Sequence, residues 1–234
     1  MLTITHQDLA PPANAADHAA GLCFAPCPQT LGLYAVLPTS EWVGRMARAG
    51  VPTVQLRFKS TDPQAITHEV HAAVQAVQGT ASRLFINDYW QLAIEAGAYG
   101  AHLGQEDLDT LSQDDLKRLR QSGLRLGLST HTDAEVVRAA ALRPSYMALG
   151  AVFPTTLKAM PTAPLGLERL ASYAQLLRGY STVAIGGIGA EHLPNIAATG
   201  VGSFAVVRAI VAAPNPEAAA QGLMAQWQSL ASHP

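Results

Sequence analysis

A chain of 234 residues that is 49% hydrophobic and 14% charged can form one large domain or two small ones, and is apolar enough for a sizeable core. Its formal net charge of −2, with acids and bases interspersed, offers no basic face to nucleic acid. No apolar run approaches the roughly 18 residues of a membrane-spanning helix. The first 30 residues lack the basic start and apolar segment of a secretory leader, so a cytoplasmic protein is expected.

Residues 1–29, rich in Ala, Pro and His, read as a loosely ordered N-terminal tail ahead of a single domain over 30–234. Both cysteines, Cys23 and Cys27, fall in this tail. A Cys-x3-Cys pair without partner ligands nearby is a poor zinc site, and two reduced thiols are the expectation.

From Leu31 onward, short β-rich runs alternate with helical stretches. The runs lie at 31–37, 53–58, 83–86, 100–103, 125–128, 146–150, 182–185 and 203–207. Helices are predicted near 40–49, 63–78, 89–97, 109–122, 132–142, 166–178, 191–199 and 215–231. Asp109 or Thr110 is expected to cap the fourth, Thr132 or Asp133 the fifth, and Pro63 to open the second. Eight strands, each followed by a helix, predict an α/β fold: a single (β/α)8 TIM barrel near the lower size limit of that architecture. A doubly wound open sheet would need fewer strands or an edge break, and neither is seen.

Sites in such barrels lie at the carboxyl ends of the strands. In the second run, alternation sends Val54, Leu56 and Phe58 toward the helices and Gln55, Arg57 and Lys59 toward the barrel axis. In a closed barrel neither face is solvent, so three inward polar residues point to a ligand. The third and fourth runs end in Asn87-Asp88 and, just beyond, Asp107; the fifth ends in Ser129. Gly186-Gly187 follows the seventh, a usual phosphate position in these barrels together with the start of the last helix. Of only three lysines beside twelve arginines, Lys59 and Lys158 stand at strand ends, where a compact ammonium suits phosphate. Two acids with no clustered thiols or imidazoles favour a hard cation such as Mg²⁺, with a diphosphate as its companion. His102 and His131 also face the rim, and are read as structural hydrogen-bonders rather than as acid or base.

The segments QLRFK (55–59), FINDYWQLAIEAGAYGAHLGQEDL (85–108), GLSTH (127–131), ALGAVFPTTLK (148–158), APLGLE (163–168) and VAIGGI (183–188) together resemble thiamine-phosphate synthases. The resemblance spans nearly all of the chain after the tail. It implies a (β/α)8 enzyme that joins a hydroxymethylpyrimidine diphosphate to a thiazole phosphate and releases pyrophosphate. By the same resemblance Asp88 and Asp107 hold Mg²⁺, and Gln55 contacts the pyrimidine. Arg57, Lys59, Asn87, Ser129 and Lys158 grip the diphosphate, and Arg57, Lys59, Ser129 and Lys158 are the catalytic candidates. Thr155, Gly187 and the backbone around Val207-Arg208 receive the thiazole phosphate. The partners implied are these two small molecules, with neither nucleic acid nor membrane.

Two positions depart from the family pattern. Where the family commonly reads Pro-Thr-x-Thr-Lys, this chain has Pro154-Thr155-Thr156-Leu157-Lys158, and near the eighth strand Arg208 stands where Ser is common. Both fall on the thiazole-phosphate side, and Arg208 is read as compensating there for lost hydroxyls. Two alternatives remain. One is a thiazole-phosphate isomerase of the same superfamily, which needs neither the acid pair nor Gln-x-Arg-x-Lys; the other is a relative that binds thiamine precursors without turnover.

Overall fold

A computed structural model of the protein describes residues 2–13, 16–17, 20–155 and 163–231. Its centre is a closed barrel of eight parallel strands in sequence order. These are β1 (Gly32–Leu37), β2 (Thr53–Leu56), β3 (Arg83–Asn87), β4 (Gly100–Leu103), β5 (Arg125–Thr130), β6 (Tyr146–Gly150), β7 (Thr182–Ile185) and β8 (Ser203–Val206). The ring closes where β1 pairs with β8, Gly32 opposite Ser203. Around it pack α1 (Ser40–Arg48), α2 (Pro63–Ala76), α3 (Trp90–Ala96), α4 (Gln105–Thr110), α5 (Gln113–Gln121), α6 (Asp133–Leu142), α7 (Gly166–Leu176), α8 (Leu193–Ala198), α9 (Arg208–Val211) and α10 (Pro216–Ala231). Among the described residues no helix is long and apolar enough to cross a membrane.

The strands alternate between two apolar layers. Leu33, Ala35 and Leu37 of β1 join Val54 and Leu56 of β2 in the layer under the helices. Tyr34 and Val36 point the other way, into the barrel with Phe85, Tyr146, Ala148, Val183 and Ala205. Each large side chain fully removed from water contributes about 1.5–3 kcal/mol, so both layers favour closure. Gly127 makes room in the inner layer: a Cβ there would lie 2.1 Å from the Tyr146 ring.

Local chemistry sets the helix starts. Asp62 caps α2, its carboxylate accepting from Gln64 N at 2.9 Å, with Pro63 in the first turn. Thr132 caps α6 by accepting from Glu135 N. The single helix expected over 109–122 is instead two. Asp109 and Thr110 close α4 rather than opening a helix, and Leu111 is extended. Ser112 then starts α5 through a capping box with Asp115. The short α9, directly after β8, is a further element that the sequence pattern does not announce.

The described part of the N-terminal segment is held against the barrel more closely than its composition predicts. Thr3 donates from both its backbone N and its Oγ1 to Asp133 Oδ2, at 2.8 and 2.6 Å. Tyr173 Oη and Arg169 Nη2 donate to the other oxygen, at 2.5 and 2.6 Å. Burial works against the Asp133 charge, but these donors from Thr3, Tyr173 and Arg169 outweigh it and hold the carboxyl well below the usual range. Farther along, Tyr180 Oη donates to Ala10 O, Ser145 Oγ to Ala25 O, and Phe24 is buried in the outer core. Both cysteines are free thiols; Cys23 is buried, and burial pushes the Cys27 thiol up to about 12.

Candidate active site

At the carboxyl ends of the strands lies a cavity of about 1170 Å³. β2 delivers Gln55 to its wall, and the chain just after β2 delivers Arg57 and Lys59. The next two strands bring acids. β3 ends at Asn87, which is buried, and a tight turn follows in which Asp88 N donates to His102 O and Trp90 N to Asp88 O. Asp88 adopts φ +64°, one of two non-glycine residues with positive φ among those described. Asp tolerates this conformation better than most side chains, and sparsely populated backbone concentrates at functional sites. The turn aims the Asp88 carboxylate at the ammonium of Lys59, with which it forms an ion pair.

After β4, Gly104 N donates to Asp107 Oδ2 at 2.7 Å, so this carboxylate also caps the first turn of α4. Burial raises the Asp107 carboxyl above its ordinary range and the Asp88 charge adds to the rise; the Gly104 hydrogen bond and Lys59 oppose it. Two acids pressed together in this way are a hard-oxygen donor pair whose mutual repulsion a cation would relieve.

Beneath this rim the floor is polar and buried. Gln55 Nε2 donates to Tyr34 Oη at 3.0 Å, and Tyr34 Oη lies 2.7 Å from Tyr146 Oη. Tyr146 Oη lies 2.7 Å from His102 Nδ1, and His102 Nε2 lies 2.8 Å from Ser129 Oγ. Ser129 is held a second time, since its carbonyl accepts from Gln105 Nε2 at 2.7 Å. His131, also at the cavity, is tied to Glu135, to which its backbone N and Nδ1 bond at 2.6 and 2.9 Å.

The opposite rim is built from backbone. Gly186 and Gly187 after β7 have φ of +102° and +67°. Both are also crowded: a Cβ at Gly187 would come within 2.7 Å of Pro154 O, and one at Gly186 within 2.4 Å of Ala151 Cβ. Glycine is required there on both counts. Thr155, Val207 and Arg208 line the same side, with Arg208 exposed at the start of α9.

One cavity therefore gathers the sequence candidates Gln55, Arg57, Lys59, Asn87, Asp88, Asp107 and Ser129 with Thr155, Gly187, Val207 and Arg208 across from them. Leu157 and Lys158 lie outside the described residues. Sequence reasoning missed Tyr34, Tyr146 and Gln105. Tyr34 and Tyr146 sit in apolar runs that give no sign of a polar partner, whereas Gln105 stood inside the Gly-Gln-x-Asp stretch and was open to notice.

The sequence family described as thiamine monophosphate synthase matches residues 33–210. The thiamine-phosphate synthase of Neisseria meningitidis serogroup B is 51% identical over 206 residues, covering 88% of this chain and 99% of the relative. That of Klebsiella pneumoniae subsp. pneumoniae is 54% identical over 202 residues, covering 86% and 94%. Among solved structures, thiamine phosphate pyrophosphorylase from Pyrococcus furiosus superposes with a TM-score of 0.75 at 24% identity, over 86% of this chain and 96% of that one, and supports the fold. With a family match over most of its length and half its residues shared with such relatives, the chain belongs to the thiamine-phosphate synthase family of enzymes.

Proposed function

We propose that the enzyme joins 4-amino-2-methyl-5-(diphosphooxymethyl)pyrimidine to 4-methyl-5-(2-phosphoethyl)thiazole, giving thiamine phosphate and pyrophosphate with the help of Mg²⁺. The observation that carries this reading is the pairing of Asp88 and Asp107 beside Lys59 and Arg57 on one rim of a cavity that also holds a glycine-built anion cradle.

The donor set fits the metal. Mg²⁺ is held by one or two carboxylates, with substrate phosphates and water completing its sphere. Asp88 and Asp107 both line the cavity at this rim, and the Asp88 charge acts on Asp107. When bound, the ion neutralises charge on the diphosphate as it departs.

The remaining steps are the work of the chain. Lys59, Arg57 and Lys158 supply positive charge, and Asn87 and Ser129 hydrogen bonds, to the leaving diphosphate. The bond between the exocyclic methylene and the diphosphate oxygen breaks, and its electron pair leaves with pyrophosphate. The aminopyrimidine ring stabilises the methylene cation so formed, with Gln55 orienting the ring. The thiazole nitrogen then donates its lone pair to that carbon, closing the new C–N bond. No side-chain nucleophile is required; the protein contributes orientation and preset electrostatics. Thr155, Gly187 and the backbone at Val207 hold the thiazole phosphate. The guanidinium of Arg208 adds a charged donor there, offsetting the alkyl chain of Leu157.

The test is pyrophosphate release by the purified chain, with both substrates, in Mg²⁺ and in a chelator. Release that needs both substrates and Mg²⁺ is expected. Conversion of the thiazole phosphate alone would instead favour the isomerase, and binding without release in Mg²⁺ would favour a non-catalytic relative.

A further inference from the structure

Two loops meet beside the glycine turn after β7, and two rings outside the cavity join them. The first loop leaves β6 and at first runs along the end of β7. Val152 N donates to Ile185 O at 2.9 Å, and Phe153 N to Gly186 O at 3.0 Å. Pro154 has no N–H with which to continue this pairing, and Thr155, the next residue, lines the cavity. Phe153 is thus the last residue that this ladder fixes before Thr155. The second loop leaves β7 through Gly186 and Gly187 and enters a short 3-10 turn, Ala190–His192.

His192 is held by its edge. Its Nδ1 lies 3.0 Å from Gly189 N. A backbone N–H can only donate, so Nδ1 is the acceptor. His192 N donates back to Gly189 O at 3.1 Å, which closes the turn from both ends. The Glu191 carboxylate stands 3.4 Å from the same Nδ1, but two acceptors do not bond, and the link to Gly189 is uncontested. Gln226 Nε2, from α10, donates to Ala190 O at 3.0 Å and ties the turn to the last helix. With its edge engaged, the imidazole turns a face to Phe153: the ring centroids are 4.1 Å apart and the planes 25° from parallel. Stacked rings attract beyond the area they bury.

Neither ring lines the cavity, whereas Thr155, Gly187 and Gly189 do. The stack therefore acts from behind the wall, on the gap between Thr155 of one loop and Gly187 of the other. Gly187 is already pressed on the first loop, where a Cβ would come within 2.8 Å of Phe153 Cβ.

We propose that Phe153 and His192 are positioning residues. Their stacked rings clasp the loop after β6 to the loop after β7 and hold Thr155 and Gly187 at the spacing that grips the thiazole phosphate. The identity of that phosphate rests on the function proposed above; the clasp rests on the ring and hydrogen-bond geometry.

The test is calorimetric binding of 4-methyl-5-(2-phosphoethyl)thiazole to the full chain, with inorganic pyrophosphate and Mg²⁺ as the control ligand. His192→Ala is expected to weaken thiazole-phosphate binding about fivefold to tenfold, the scale of one ring pair and one hydrogen bond, and to leave the control within twofold. Phe153→Leu should weaken it less, and Phe153→Leu combined with His192→Ala no more than His192→Ala alone, because each removes the same contact. A double variant whose loss is the product of the two single losses means that the rings act apart, and overturns the clasp. So does His192→Ala binding within twofold of wild type, or an equal loss for both ligands. Should His192→Ala not fold, the same cycle is run with His192→Asn, which keeps an acceptor for Gly189 N and loses the ring. Wild-type chain that binds no thiazole phosphate overturns the proposed function together with the clasp; equal binding by wild type and variants removes the clasp alone.

Discussion

The rim at β2–β4 faces the cavity with five charged side chains, Arg57, Lys59, Asp88, Glu106 and Asp107, whereas the rim at β7–β8 combines two left-handed glycines and the start of a four-residue helix with Glu191 and Arg208. The first is an arrangement of mobile charges that constrain one another: Asp88 pairs with Lys59, and Asp107 is raised by burial and by Asp88. The second is built around backbone, held by steric crowding that excludes even a methyl group at Gly187, with Glu191 and Arg208 beside it. Side-chain charges suit a group whose charge grows during reaction, since preset electrostatics act where charge develops. A backbone cradle suits a phosphate that is merely held. In the reaction proposed above, the leaving diphosphate lies against the first rim and the spectator phosphate against the second.

Substitutions should separate the two rims by size and by kind of effect. The largest loss is expected for Asp88→Ala and Asp107→Ala, with turnover falling about 100-fold or more, comparable to removing one preset transition-state contact. Steady-state pyrophosphate release reads it, and a rate within tenfold of wild type in either variant would remove that residue from the metal site. Gly187→Ala should act on KM rather than kcat. Its φ of +67° and the Pro154 O contact at 2.7 Å force the turn to shift, and strain on the order of 1–3 kcal/mol corresponds to a rise of roughly 5- to 150-fold in KM for the thiazole phosphate. KM for the pyrimidine diphosphate should stay put; an equal rise in both would blur the division of the rims. Arg208→Ser is expected to raise KM for the thiazole phosphate by about tenfold or less, the lower end for a hydrogen bond to a charged group. An unchanged or lower value sinks the idea that Arg208 compensates for Leu157.

The smallest catalytic effect belongs to a residue outside the cavity. Asp133→Ala removes the acceptor shared by Thr3, Tyr173 and Arg169, and should cost about 1–3 kcal/mol of stability, a Tm drop of roughly 2–12 °C, with kcat/KM nearly unchanged. The sign with pH follows from its depressed carboxyl. The stabilisation is present above the unfolded value near 3.9 and is lost as pH falls through the lower folded value. The Tm gap should therefore persist from pH 7 down to about pH 4 and close only in stronger acid. A gap that widened on acidification would contradict the account of Asp133.

Much of this was legible in the sequence because a barrel repeats one rule eight times. Each predicted run falls within a residue or two of its strand, and the strand ends named from the sequence open onto one cavity. What stayed hidden shares a cause. Tyr34 and Tyr146 belong to strands buried on both faces, where no polar alternation marks a residue that needs a hydrogen-bond partner. Thr3 finds Asp133 only across 130 residues of sequence, beyond any local pattern. The break between α4 and α5 is local: Asp109 and Thr110 have the side chains of a helix cap, yet it is Ser112 with Asp115 that forms the capping box.

The division of the rims is tested most directly by calorimetric binding of inorganic pyrophosphate, with Mg²⁺ and with a chelator, to wild-type chain and to Asp107→Ala. The account predicts that Mg²⁺ tightens binding at least about tenfold in the wild type and loses that effect in the variant. Equal affinity with and without Mg²⁺, or an undiminished metal effect in Asp107→Ala, would contradict it.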